Sequence, residues 1–445
     1  MTVTLKIEKN VYGGDGLSRL GDGRVCFVPG AFMGETVKAD IVEQKKHYVK
    51  ARFVQLLEPS EDCPRVDSGS ADKLPVDMPT GVDPVSIGLV YSPISYKAEV
   101  YVKEDQLSNF LWKVTHSVVP LDVVPAPEPF HYRNKVVYHT ERQNGRWVLG
   151  YRTEPEHRVV DMPQDPLACK AINAALPEIR ANVLALLTQG ARAVRQSAKA
   201  ADNVTIRWTP IDGVRWWLGE PPANLELHEK TDGHTFLVPG DGFYQINPTM
   251  GEWLVKAIRK AYAAGAEDAA HILDLYCGVG VFGLSCLQGG QPAAKGDAAP
   301  KTVPRLVGIE SGRAAVATAK KNAAAMGVPA NFFCERVGAS LSRIKVGPHH
   351  TVIVDPPRGG MESNVPGWLA NRPAPRIFYV SCDPATLVRD LGALVKSYEI
   401  KQATLFDMFP RTARFETFVE LVRKTPAPKK AEPRKPTPSQ TEARA

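Results

Sequence analysis

The sequence predicts an α/β protein in which a doubly wound, mostly parallel sheet follows a small N-terminal β-barrel and a mixed α+β middle region. Three observations carry that expectation. After residue 236, apolar strand candidates alternate with Ala- and Leu-rich helical stretches, the βαβ pattern of a parallel sheet. Before residue 60, short apolar runs are separated by Gly-rich turns, the pattern of a small barrel. Between these regions strands and helices mix, and no internal repeat is visible.

In order along the chain, residues 1–60 supply strand candidates at 3–7, 24–28, 35–41 and 48–57, divided by Gly13-Gly-Asp-Gly16, Gly21-Asp-Gly23 and Pro29-Gly30. Lys45, Lys46, His47 and Tyr48 mark the turn between the last two. A basic turn carrying an aromatic ring suits an oligonucleotide-binding (OB-like) barrel, and equally a solvated hairpin. Residues 61–235 begin with an irregular connector rich in Pro, Ser and Asp up to residue 95. A helix is expected at 176–187 and strands at 203–208 and 216–218. Residues 236–424 hold the parallel sheet, with strands at 272–275, 306–309, 331–334, 351–354, 377–380, 403–406 and 418–422. A Gln-, Pro-, Gly- and Lys-containing stretch, 289–303, interrupts the alternation as an expected surface insertion. The last segment, 425–445, is Pro-, Lys- and Ala-rich and is expected to be disordered.

Composition narrows the function classes less than the motifs do. The 445 residues leave room for two to four domains at roughly 100–200 residues each. The formal charge is +7, of which the tail carries +3, so the surplus over the body fits an anionic partner without demanding one. The start lacks an apolar signal region, and no run approaches 18 apolar residues, so neither a secretory signal nor a membrane span is expected. Seven scattered cysteines, an odd number without a CxxC, point to a reducing cytoplasm.

Two ends of the expected sheet carry chemistry. His271-Ile-Leu-Asp-Leu-Tyr-Cys-Gly-Val-Gly280 is an apolar strand entering a two-glycine turn, followed by a short helix at 281–287. Ligands of open α/β sheets bind beyond the carboxyl ends of the strands, and glycines there let a ligand approach the backbone. The next strand ends in Glu310, an acid placed to accept hydrogen bonds from ribose hydroxyls. The Gly280–Glu310 spacing of 30 exceeds the usual ~20, and the 289–303 insertion accounts for the excess. The pattern Asp-x-x-Cys-Gly-x-Gly, rather than Gly-x-Gly-x-x-Gly, favours S-adenosylmethionine over a dinucleotide. Beyond it lie Asp355-Pro-Pro-Arg358, Ser381-Cys-Asp-Pro-Ala-Thr386, and Asp407-Met-Phe-Pro-Arg-Thr412 followed by Glu416, each where a strand end or loop would face one crevice.

Together with Phe243-Tyr-Gln245-Ile-Asn247-Pro248, and in this order, these segments resemble the RNA 5-methyluridine methyltransferase family over about 240–422. Tyr132-Arg-Asn-Lys135 also looks familial, and residues 1–60 resemble a TRAM domain, an RNA-binding module. The resemblance implies a Rossmann-like methyltransferase domain and transfer of a methyl group from S-adenosylmethionine to C5 of a uridine in structured RNA. It matches Cys382 with the nucleophile and Glu416 with the general base. Gln245, Tyr276, Glu310 and Asp355 fall at cofactor positions, beside Gly278 and Gly280. Val281 stands where relatives often carry a polar residue, so it offers only its backbone or a methyl contact. Cys382, just before a Pro suited to a helix's first turn, is expected to feel the helix N-terminus, which lowers a thiol pKa.

The chemistry fits these residue types. C5 of uracil is a weak nucleophile until a thiolate adds at C6, and a base must then remove the C5 proton. Outside this motif set, a cysteine after a buried strand is usually a small hydrophobe, the reading kept for Cys277, Cys286 and Cys334. Arg358 holds a phosphate or acid, or forms a structural ion pair. Many relatives carry four cysteines for an iron–sulfur cluster. Here only Cys63 remains at those positions, the last being Asp165, so no cluster and no other metal is expected. A TRAM-like barrel on this catalytic domain looks more like ribosomal RNA members, so 23S rRNA is favoured over tRNA, by a monomer without an obligate protein partner. The rivals are methylation of a nucleobase amine, with which Asp355-Pro-Pro-Arg358 is compatible, and RNA binding without catalysis.

Overall fold

The computed structural model describes residues 1–67, 70–76, 78–79, 82–153, 157–189, 202–265, 271–287 and 306–425. The expected insertion at 289–303 lies outside the described residues, as does the tail beyond Thr425.

The N-terminal unit is a six-stranded sheet of β1 (Thr2–Lys6), β2 (Lys9–Asn10), β3 (Gly16–Arg19), β4 (Val25–Val28), β5 (Thr36–Gln44) and β6 (Tyr48–Glu58), in the order β1-β5-β6-β4-β3-β2. Both ends of that order belong to one stretch of chain. β1 pairs with β5, while Glu8 N–H donates to the Leu17 carbonyl (2.8 Å) and β2 pairs with β3. The first strand therefore closes the sheet on itself around Leu5, Ile7, Val28, Val37 and Val49. β2 and β3 are too short, and too close to the Gly13–Gly16 turn, to stand out as apolar runs.

Between the barrel and residue 95 the described chain holds a single 3-10 turn, Pro84–Ile87. α1 (Tyr96–Thr115) follows, its N-terminus capped by the Ser95 hydroxyl, which accepts from Ala98 N–H (3.3 Å). α1 and β7 (Leu121–Val124) do not pack with the middle region that adjoins them in sequence. α1 buries Leu107 and Leu111 against one face of the large C-terminal sheet, and β7 forms that sheet's outer edge.

The middle region proper is the five-stranded antiparallel sheet β10-β9-β8-β11-β12, from β8 (Lys135–Gln143), β9 (Arg146–Arg152), β10 (Val159–Asp161), β11 (Asn203–Thr209) and β12 (Gly213–Leu218). α2 (Lys170–Thr188) covers it with Ile172, Leu176, Ile179 and Val183. The hairpin of β13 (Glu226–Thr231) and β14 (His234–Pro239) leads onward. α3 (Pro248–Ala263) opens on the cap residue Asn247, whose side chain accepts from Met250 N–H (3.3 Å).

The large C-terminal sheet has eight strands in the order β17-β16-β15-β18-β19-β21-β20-β7. β15 (His271–Leu275), β16 (Leu306–Glu310), β17 (Ala330–Cys334), β18 (His350–Val354) and β19 (Arg376–Ser381) run parallel, while β21 (Glu416–Arg423) is antiparallel to both β19 and β20 (Tyr398–Phe406). The helices α4 (Val281–Cys286), α5 (Arg313–Ala325), α6 (Val337–Ser340), α7 (Val365–Ala370) and α8 (Pro384–Leu394) complete it. Cores on both faces follow from continuous apolar strands such as Arg376–Ser381, buried throughout. α3, α4 and α5 cover one face, and α1, α7 and α8 the other. No helix among the described residues is long and apolar enough to cross a membrane.

Candidate active site

The carboxyl ends of the parallel strands open into a cleft of about 810 Å³. That volume suits a ligand larger than a single small metabolite, since drug-sized sites run from ~300 to ~1,000 Å³. Gln245, Tyr276, Gly278, Val281, Glu310, Asp355, Cys382 and Glu416 all line it. Gly280 does not. It caps α4 at φ +86°, and a Cβ there would press on Leu284 and Phe332 at 3.0–3.3 Å, so its part is to turn the chain.

The donor side of the cleft is built from strand ends. Glu310, ending β16, accepts from Gly278 N–H (3.2 Å) and Gly312 N–H (2.7 Å). A Cβ on Gly278 would meet nothing within 4 Å, so the backbone there faces open space that a ligand can enter. Tyr276 takes a positive φ of 63° at the end of β15, and its hydroxyl donates to Glu362. Gly251 in α3 lets Gln245 pack closely, for a methyl there would lie 2.9 Å from the Gln245 Cβ. Asp355 follows β18, with its N–H on the Leu275 carbonyl (3.3 Å). Asp274 is fully buried beneath them, one carboxylate oxygen held by Gly283 N–H (3.0 Å) and the other without a partner. Burial, aided by repulsion from its neighbouring acids, pushes Asp355 up to about 8 and Asp274 up to about 7. Carboxylates that raise one another's pKa in a half-open cleft favour a cationic ligand.

The reacting side lies across β19 and β21. Their antiparallel register pairs Ser381 with Thr417, so Cys382 and Glu416 are the next cross-strand neighbours at the sheet's end. Cys382 is half-buried, and Glu416 is 3% exposed. Asp383 caps α8, its Oδ1 accepting from Ala385 and Thr386 N–H at 3.0 Å each. This corrects one expectation. The free N–H groups that were to lower the Cys382 pKa are taken by Asp383. Burial, then Glu416 and Asp355, push the thiol up to about 12, opposed only by Arg358 and Arg414. Glu416 is itself raised well above the usual carboxylate range, by burial and then by Asp355. Arg358 is exposed on the cleft wall, as are Phe243 at the rim and the Arg414 side chain in part.

The loop that delivers Glu416 is held from behind by charge. Lys103 of α1, fully buried, bonds Glu99 (2.6 Å) and Asp407 (2.7 Å), and Asp407 also accepts from the Tyr96 hydroxyl (2.7 Å). Arg411, also fully buried and at φ +67°, donates its N–H to Glu99 (2.7 Å) and its guanidinium to Asp72 (2.8 Å) and the Ile94 carbonyl (2.9 Å). Tyr132 donates to the Pro410 carbonyl (3.0 Å), and Asn247 to that of Met408 (3.2 Å). Asn134 donates its N–H to the Ile246 carbonyl (2.9 Å), next to Gln245. The Tyr132–Lys135 motif therefore ties the middle sheet to both walls of the cleft. Neither Lys103 nor Arg411 as an anchor was legible in the sequence, because their partners lie up to 339 positions away.

The positions where the resemblance places cluster ligands are occupied otherwise. Cys63 packs among Phe32, Tyr91, Ile94 and Val102, and burial pushes its thiol up to about 11. Asp165 is fully buried and accepts from the Tyr138 and Tyr151 hydroxyls (2.8 and 2.6 Å) and from Leu167 and Ala168 N–H.

Residues 225–424 match the model of the tRNA (uracil-5-)-methyltransferase family, and residues 1–54 that of the TRAM domain. Among similar proteins, an uncharacterised RNA methyltransferase of Thermosynechococcus vestitus is 26% identical over 94% of this chain and 98% of its own. A 23S rRNA (uracil(1939)-C(5))-methyltransferase of Shewanella frigidimarina is 26% identical over 89% of this chain and 90% of its own, and a tRNA (uracil(54)-C(5))-methyltransferase of Schizosaccharomyces pombe is 25% identical over 95% and 78%. The solved Pyrococcus abyssi tRNA (uracil-54, C5)-methyltransferase, in complex with S-adenosyl-L-homocysteine, matches 94% of this chain with a TM-score of 0.66 at 22% identity, a likeness of fold.

Proposed function

Residues 225–424 belong to the S-adenosylmethionine-dependent RNA uracil-C5 methyltransferases, behind an N-terminal TRAM domain, and from that membership we propose that the chain methylates C5 of a 23S rRNA uridine through a covalent bond between Cys382 and C6. The single observation that carries the reading is that Cys382 and Glu416, cross-strand neighbours, line one cleft together with Asp355 and Glu310.

When bound, S-adenosylmethionine supplies an electrophilic methyl group. Gln245, Tyr276, Gly278, Val281, Glu310 and Asp355 hold it against the strand ends. The target base must leave its stack to reach the cleft. The Cys382 thiolate then adds to C6, and the electron pair of the C5–C6 double bond passes to C5 and O4 as an enolate. Arg358 and Arg414 are the charges that favour that thiolate. C5 takes the methyl group as the sulfonium S–CH3 bond breaks, its electron pair staying on the sulfur of the departing S-adenosylhomocysteine, and C5 retains its proton. Glu416 removes that proton, the double bond re-forms, and the thiolate is expelled.

The preference for 23S rRNA rests on the Shewanella relative, which matches along 90% of its length. The tRNA relatives match along nearly the whole of this chain as well, so the barrel is common to both readings and a tRNA uridine is the second one. A ribosomal substrate supports a cytoplasmic site of action.

Tritiated methyl donor and RNA, followed by digestion to nucleosides, test the reaction. The wild type should yield labelled 5-methyluridine and Cys382→Ala none. Label on an exocyclic amine, or label retained with Cys382→Ala, would contradict the reading. Nucleoside mass spectrometry of rRNA and tRNA from cells lacking the protein separates the two substrates, with loss expected in rRNA.

A further inference from the structure

The hairpin loop after β2 exposes only its Gly13 tip. Tyr12, on the barrel, reaches the loop that carries Cys382. Its hydroxyl donates to the Cys382 carbonyl (3.3 Å) and accepts from Arg414 Nη1 (3.2 Å). The same guanidinium lies 6.0 Å from the Tyr12 ring centroid and 3.8 Å from Asp383, the cap of α8. The ring stands edge-on to Phe415, the residue before Glu416, at 5.8 Å, and to Phe110 of α1 at 6.2 Å.

The loop is fixed from its other side too. Gln106 of α1 donates to the Asn10 and Val11 carbonyls (3.3 and 3.0 Å), and the Asn10 side chain donates to those of Gly14 and Ala31 (3.0 Å each). A Cβ on Gly14 would lie 2.9 Å from Val90, so the turn is seated against the connector. Tyr12 is absent from the cleft wall and stands behind it, where it can act on the reaction through the Cys382 peptide, Arg414 and the Phe415 ring beside Glu416.

We propose that Tyr12 is a positioning residue for methyl transfer: a side chain of the RNA-binding barrel that fixes the peptide of Cys382 and the guanidinium beside it, so that the barrel is part of the catalytic scaffold. The inference rests on the reading of Cys382 as nucleophile. A carbonyl held from behind limits rotation about the Cys382 peptide, and a thiol set off its line of attack by even about 1 Å loses rate steeply.

Tyr12→Phe keeps the ring contacts and removes the hydroxyl. Substrate RNA carrying 5-fluorouridine at the target traps the methylated Cys382 adduct, because the fluorine cannot be removed as a proton is. With donor and RNA saturating, Tyr12→Phe should form the adduct about threefold to tenfold more slowly than wild type, with the dissociation constants for RNA and donor and the melting temperature unchanged. An unchanged adduct rate would overturn the proposal, as would a loss confined to RNA affinity, which would make Tyr12 part of the barrel's grip alone. Should melting fall with Tyr12→Phe, an adduct rate that stays slow well below the melting temperature still supports the proposal, and one that recovers there overturns it. If wild type itself forms no adduct, the covalent reading fails and this inference with it, an outcome distinct from equal rates in the two proteins.

Discussion

Cys382 stands between two carboxylates that disfavour its thiolate and two guanidinium groups that favour it. Burial and that balance hold the free protein's thiol in its protonated form at neutral pH. The donor's positive charge has leverage on Asp355, pushed up to about 8. An acid raised in the free protein is protonated below that pH and must lose its proton to face a cation. Donor affinity should therefore rise with pH up to about 8, by at most about tenfold per unit, and level off above it. Calorimetry from pH 6 to 9 tests this, and Asp355→Asn should bind weakly with the slope removed. Glu416→Gln, which keeps shape but cannot take the C5 proton, should accumulate the methylated adduct on ordinary uridine RNA, visible as a shifted band on a denaturing gel. At this scale the motifs singled out Cys382, Glu416, Gln245, Tyr276, Glu310 and Asp355, which the fold brings to one cleft. The direction of the thiol's shift was not legible, because it comes from burial and from carboxylates on other strands.

The element that presents Glu416 is the 407–412 loop, and its geometry is set by α1 rather than by its own sequence. Lys103, Glu99, Asp407 and Arg411 form a buried network in which each charge depends on the others. Removing one member strands a charge. Lys103→Met should cost about 3–5 kcal/mol of unfolding free energy, measured by denaturant titration, even though methionine packs well. An effect below about 1 kcal/mol would show that the network is dispensable. The parallel strands and their helices were legible from apolar runs and periodicity. The placement of α1 and β7 in the catalytic sheet was not. β7 is four residues long, and its only mark of membership is the parallel register of Leu121–Val124 with Ala403–Phe406.

Across the whole molecule, the barrel, middle sheet and catalytic sheet converge on one cleft. The barrel reaches it through Tyr12, the middle sheet through Tyr132 and Asn134, and the catalytic sheet through its strand ends. The barrel and the loop carrying Cys382 are therefore fixed in one frame, which a flexible tether would not provide. The barrel's existence was legible from its Gly-punctuated strands. Its seating on the nucleophile loop was not, because a lone Tyr in a turn carries no sequence signal of a partner 370 positions away. The proposed methyl transfer requires a sulfur–carbon bond between Cys382 and the pyrimidine. Digestion of the protein trapped on 5-fluorouridine RNA, followed by mass spectrometry, reads that bond directly. The peptide containing Cys382 should carry the methylated fluorouridine nucleotide, and the trapped nucleotide on any other residue, or methylation proceeding with no adduct at all, would contradict it.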